Sequence, residues 1–186
     1  MSVERMSDAP DVVGEIIRQW HHERPDLDPS PIGVFGRLTR TYQLKQVRLR
    51  SLLGQFDLTP ATFDVLANLR RTQSEGPKTA GAIASSSLLS TGGTTFRLDR
   101  LEERGLIRRT TATEDRRIVH VELTPKGADL IDAVMTAHLD HEVTLLAGLT
   151  ATEVQQLAKL LARLEKSVAA TPEALPTYDD VDLPPA

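Results

Sequence analysis

The sequence predicts a mainly α-helical fold with one small β-hairpin, and three observations carry that expectation. Apolar residues recur at three- and four-residue steps through most of the 186-residue chain. Helix punctuation repeats along it, with capping threonines at Thr59, Thr124 and Thr150 and a stopping glycine at Gly105. Only residues 106–123 break into short β-branched runs with period-two alternation.

The elements follow in chain order. Residues 1–10 show no periodicity and are expected to be disordered. An amphipathic helix spans 11–22 and carries Trp20, the only tryptophan. In the next helix Phe35, Leu38, Tyr42, Leu49, Leu52 and Phe56 form a stripe that only Lys45 interrupts. These two helices make an N-terminal segment, 11–56. Thr59-Pro60 then opens a helix with Phe63, Leu66 and Leu69 on one face, because proline suits the first helical position. Gly76-Pro77 breaks the chain, residues 78–86 read as a short alanine-containing helix, and 87–90 as a turn into Thr91-Gly92-Gly93-Thr94-Thr95-Phe96-Arg97. Each glycine there weakens the helix start by roughly 1 kcal/mol relative to alanine, a cost that close backbone approach would justify.

That helix ends near Arg104. Residues 106–110 and 118–123 follow as strands, with Val119, Val121 and Leu123 alternating against His120 and Glu122. The intervening loop, 111–117, holds Glu114-Asp115-Arg116-Arg117, two guanidinium groups on a narrow ribbon. Thr124-Pro125-Lys126-Gly127 restarts the chain as a helix. Leu130 and Val134, then Leu145, Leu146 and Leu149, mark one C-terminal helix. A Thr150/Glu153 capping box opens another, on which Val154, Leu157, Leu161, Leu164 and Val168 repeat in a/d fashion. The segments are thus a core at 57–124, terminal helices at 125–170 and an acidic tail at 171–186 expected to be disordered.

Helix, helix, turn, helix and hairpin is the order of a winged helix-turn-helix that reads DNA. In that reading Ser90, Thr91, Thr94 and Thr95 approach base edges in the major groove, Arg100 adds charge on the same helix, and Arg116 and Arg117 enter the minor groove from the wing. The alternative is a plain α+β connection with a solvated charged turn. The net charge of −4 looks adverse for binding phosphate, but its distribution is uneven. Residues 31–56 hold five basic side chains and no acid, and 90–117 hold seven arginines against five acids. The tail has Glu173, Asp179, Asp180 and Asp182 and no basic residue.

Other function classes find little support. The absence of cysteine excludes disulfides, cysteine-ligated zinc and a thiol-oxidation switch. No apolar run is long enough to span a bilayer and no signal-peptide pattern opens the chain, so a cytoplasmic location is expected. No P-loop, dinucleotide fingerprint or nucleophile elbow points to an enzyme, and no cofactor is implied. His138 and His141 lie one turn apart and present a weaker candidate for metal sensing. Three apolar stripes exceed what one winged domain covers. Dimerisation through the terminal helices would bury them, as would a monomeric bundle.

Residues 58–127 resemble the winged helix-turn-helix core of the MarR family of transcriptional regulators. The Leu101-Glu102-Glu103-Arg104-Gly105-Leu106-Ile107 run, the Asp115-Arg116-Arg117 wing and the Leu123-Thr124-Pro125-Lys126-Gly127 restart carry the likeness. The resemblance implies a homodimer on a pseudo-palindromic operator, usually a repressor released by a small ligand. Trp20, Asp64, Arg97 and Arg109, with the extra N-terminal helix, resemble the ligand-pocket residues of the urate-responsive PecS and HucR branch. A flat anionic purine would want an aromatic face, guanidinium groups and a carboxylate to accept ring N–H, and these four supply them. One mechanism is that Asp64 pairs with an arginine until an anionic ligand competes for it. A different aromatic, phenolic or antibiotic ligand, and a helical dimer adaptor that does not bind DNA, are the alternatives.

Overall fold

Thr59 accepts from the Thr62 backbone N–H at 3.2 Å while the Thr62 hydroxyl accepts from the Thr59 N–H at 2.9 Å, so the helix at Pro60 starts on a reciprocal cap. The computed structural model describes residues 11–86, 93–112 and 118–171. Its helices are α1 (Val12–Glu23), α2 (Ile32–Gly54), α3 (Pro60–Arg71), α4 (Ala80–Ser86), α5 (Thr94–Glu103), α6 (Pro125–Leu145) and α7 (Ala151–Ala170). Its strands are β1 (Lys78–Thr79), β2 (Ile107–Thr111) and β3 (Val119–Leu123). The terminal segments, the 87–90 turn with Thr91, and the wing tip with Arg116 and Arg117 lie outside the described residues.

Two corrections to the sequence reading concern residues 78–79 and Gly93. Lys78 and Thr79 do not belong to the helix that follows. They form β1, which pairs antiparallel with β3 through Lys78↔Val121 and Thr79↔His120, giving a three-stranded sheet in the order β1-β3-β2. Gly76 at φ 87° and Pro77 deliver the chain extended, and the Thr79 hydroxyl then accepts from Ala82 N–H at 3.2 Å to start α4. Gly93 stands outside its helix as the N-cap of α5, left-handed at φ 76°. Gly105 stops that helix as expected, at φ 67°.

The described chain divides into two compact units, one closing at His138 and the other opening at Leu139. In the first, Leu53, Leu66, Ile83, Leu101, Leu106, Ile107, Val121, Ile131 and Val134 are essentially solvent-free and make one core. Truncating any of these leucines to alanine costs about 2–5 kcal/mol. α1 is clipped to α2 at the unit's edge. Asp11 caps α1 by accepting from Gly14 N–H at 2.7 Å and holds both Nε and Nη2 of Arg37 at 2.9 Å, while Val13 is buried against Gly36. Within the second unit α7 starts on the anticipated cap, the Glu153 carboxylate accepting from Thr150 N–H at 2.7 Å. Among the described residues no helix is long and apolar enough to cross a membrane.

Candidate nucleic-acid interface

α5 is anchored by its core side. Leu98 and Leu101 are buried, which turns Thr95, Phe96 and Arg100 outward to solvent. Thr94 begins the helix. Arg100 carries its guanidinium 5.8 Å from the Phe96 ring centroid, and no described acid pairs with it. The helix therefore presents hydroxyl, aromatic and cationic groups on one exposed surface, with a bare glycine turn at its N-terminus.

The rear of the helix is tied down by Arg104. Its Nη1 donates to Asp57 C=O at 2.6 Å and its Nη2 to Phe56 C=O at 3.3 Å, bracing the α2–α3 turn where Asp57 adopts a left-handed φ of 54°. Beside this brace lies a cleft of about 140 Å³ lined by Asp57, Thr59, Thr62, Arg100, Leu101 and Arg104. On the far side, the restart motif does more than open a helix. The Thr124 hydroxyl donates to Gly105 C=O at 2.7 Å and accepts from Gly127 N–H at 3.0 Å, and Lys126 Nζ donates to Arg104 C=O at 2.9 Å. A Cβ at Gly127 would lie 1.9 Å from the Leu106 carbonyl oxygen. The end of α5, the start of β2 and the first turn of α6 are thereby one joint.

In the wing, Arg108 pairs with Glu122 across the two strands at 3.0 Å. Arg109 points the other way, toward α5. Its Nη2 donates to Asp99 Oδ1 at 2.5 Å, its Nε lies 3.4 Å from Glu102 Oε2, and its backbone N–H donates to Glu102 Oε1 at 3.0 Å. The side chain is 23% exposed, and its buried Nε makes no hydrogen bond despite that nearby carboxylate. Arg109, one of the guanidinium groups assigned to the pocket, is thus held by two acids of α5. Asp64 is half-buried on α3 and forms no ion pair among the described residues. The reversal at Gly105 folds β2 back along α5, which brings Asp99 and Glu102 to Arg109.

Trp20 is 47% exposed on α1, and Arg97 is half-buried on α5. His138 packs edge-on to Phe63 with ring centroids 5.1 Å apart. Among the described residues no group of three or more His, Asp and Glu side chains is arranged to hold a metal ion. Sequence reasoning missed Asp99 and Glu102 as partners of Arg109, though their i, i+3 spacing on the helix was a usable signal.

A family model for the MarR family matches residues 58–119. The HTH-type transcriptional regulator PecS of Dickeya dadantii (strain 3937) is 36% identical over 154 residues, 83% of this chain and 93% of that protein. Among solved structures, the S. aureus MepR–DNA complex superposes with a TM-score of 0.64 at 26% identity, covering 72% of this chain and 98% of MepR. A MarR-like transcription regulator from Bacillus cereus ATCC 10987 has a TM-score of 0.66 at 21% identity over 74% of this chain and 97% of that one, a likeness of fold. With its capped helices, α5 braced by Arg104 and its sheet tied back through Arg109, this chain belongs to the MarR family of DNA-binding transcriptional regulators.

Proposed function

We propose that the protein is a cytoplasmic repressor that binds a pseudo-palindromic operator as a homodimer and is released by a small planar anion such as urate or a related purine. The observation that carries the ligand-release reading is the Arg109 clamp. One guanidinium bridges two carboxylates of the reading helix and keeps a buried N–H without a hydrogen bond. An anionic ligand offers that guanidinium a competing partner. Taking Arg109 from Asp99 and Glu102 unties α5 from the wing and lets the helix shift out of register with the groove.

In this reading Arg97 supplies a second cation, Asp64 accepts a ring N–H, and Trp20 offers the stacking surface. Ser90, Thr91, Thr94, Thr95, Arg100, Arg116 and Arg117 face DNA. The homodimer is supported by apolar side chains left uncovered in a single chain, including Phe35, Tyr42 and Val47 on α2 and Leu157, Leu160 and Val168 on α7.

The test is binding to DNA from the protein's own promoter at two salt concentrations, with and without urate or xanthine. Affinity should fall steeply with salt, urate should release the complex, and Asp64→Asn should weaken the urate response while leaving DNA affinity intact. Salt-sensitive binding indifferent to purines retains the regulator and discards this ligand class. Binding to no promoter fragment supports the adaptor instead.

A further inference from the structure

We infer that Phe96 is a specificity-determining residue that reads thymine through its 5-methyl group in the major groove. The inference rests on the reading that α5 is the helix that enters DNA. Phe96 is 65% exposed, whereas the other large apolar side chains of α5, Leu98 and Leu101, are 2% and 0% exposed. At 3.6 residues per turn it projects about 170° away from their mean direction. It therefore contributes nothing to the core that holds the helix. Its place is the third residue of α5, in the first turn, where a reading helix contacts base edges.

The chemistry of the ring narrows what it can read. Phenylalanine has no donor or acceptor, so it cannot address the polar atoms of guanine, cytosine or adenine. The one apolar group on a major-groove base edge is the thymine methyl. Arg100, one turn along, lays its guanidinium over one face of the ring at 5.8 Å, which limits the ring's rotation and leaves its rim and other face outward. Gly93 ahead of it has nothing within 4 Å of where a Cβ would stand, so the helix start is open to close approach. An exposed aromatic ring costs solvation that burial against a methyl recovers on binding.

The experiment compares the wild-type protein and Phe96→Ala on the same promoter fragment, synthesised either with thymine or with deoxyuridine throughout, by fluorescence anisotropy at fixed salt. Deoxyuridine removes the methyl groups and keeps every hydrogen-bonding atom. The wild type should lose on the order of tenfold in affinity on the deoxyuridine fragment, for two rings per dimer each losing a methyl contact. Phe96→Ala should bind thymine DNA with a similar loss and show little further loss on deoxyuridine DNA. Because Phe96 is exposed, the variant should keep the wild-type thermal midpoint, which circular dichroism checks. Equal wild-type affinity for the two fragments overturns the inference, as does the same fold-loss in wild type and variant. Either of those results leaves the regulator intact, whereas absence of salt-sensitive binding by the wild type overturns the placement of α5 in DNA and this inference with it.

Discussion

At the scale of single residues, the end of α5 is held by side chains that donate to backbone carbonyls. Arg104 braces the turn at Asp57, Lys126 donates to Arg104 C=O, and Thr124 closes on Gly105 C=O. Gly127 is the sharpest of these because its neighbour cannot move aside. A methyl there meets the Leu106 carbonyl oxygen at 1.9 Å and its carbon at 2.8 Å. Gly127→Ala should therefore destabilise the protein by about 1–3 kcal/mol, read as a lower urea midpoint, through forced displacement of a fixed backbone. A midpoint equal to the wild type would show that α6 and β2 separate easily. Thr124-Pro125-Lys126-Gly127 was legible in the sequence as a helix start. That its glycine exists for a close approach to Leu106 was not, since nothing local to residue 127 distinguishes a small residue by packing from one by chance.

At the scale of elements, punctuation decided most of what formed. Thr59, Thr124, Thr150 and Gly105 each act at the position read from the sequence. The strand β1 escaped notice because two residues have no period, and Lys78 and Thr79 pair only once β3 is beside them. The attachment of α1 to α2 is electrostatic at its rim. The Gly14 backbone N–H and the Arg37 guanidinium hold the Asp11 carboxyl below its ordinary value of 3.8. A lowered folded value means that this clip is at full strength above pH 3.8 and is lost as pH falls through the folded value. The protection factors of the α1 amides, exchange corrected for its intrinsic pH dependence, should therefore fall on acidification below pH 4 in the wild type and should be low already at pH 7 in Asp11→Ala. Insensitivity of α1 to both changes would place its docking entirely on Val13.

At the scale of the whole molecule, the apolar rows on α2 and α7 and the asymmetry of charge set the remaining expectations. Leu157, Leu160, Leu161 and Val168 are 41%, 58%, 38% and 54% exposed in the single chain, a contiguous apolar row of the kind that marks an interaction surface. If the proposed homodimer forms through α7, Leu160→Lys should leave the fold of one chain unchanged, shift the sedimenting species from dimer toward monomer and lower operator affinity by more than tenfold, since two half-sites then bind independently. An unshifted dimer would move the interface to α2.

The charge pattern belongs to this scale as well. All of the formal excess of four acids is accounted for by Glu173, Asp179, Asp180 and Asp182, leaving residues 1–171 balanced at 22 acids and 22 basic residues.

What the sequence determined by itself is what depends on neighbours in the chain. Caps, stops, helical stripes and the period-two alternation of β3 are set within a few residues by backbone geometry and hydrogen bonding, and they placed the end of α5 and the strands β2 and β3. What the tertiary structure decided is pairing between elements. The reversal at Gly105 gives Arg109 to Asp99 and Glu102, the sheet takes Lys78 and Thr79 from their helix, and the core draws Leu98 and Leu101 inward so that Phe96 faces out. Such partners are chosen by distance in space, which a charge or an apolar side chain does not encode on its own.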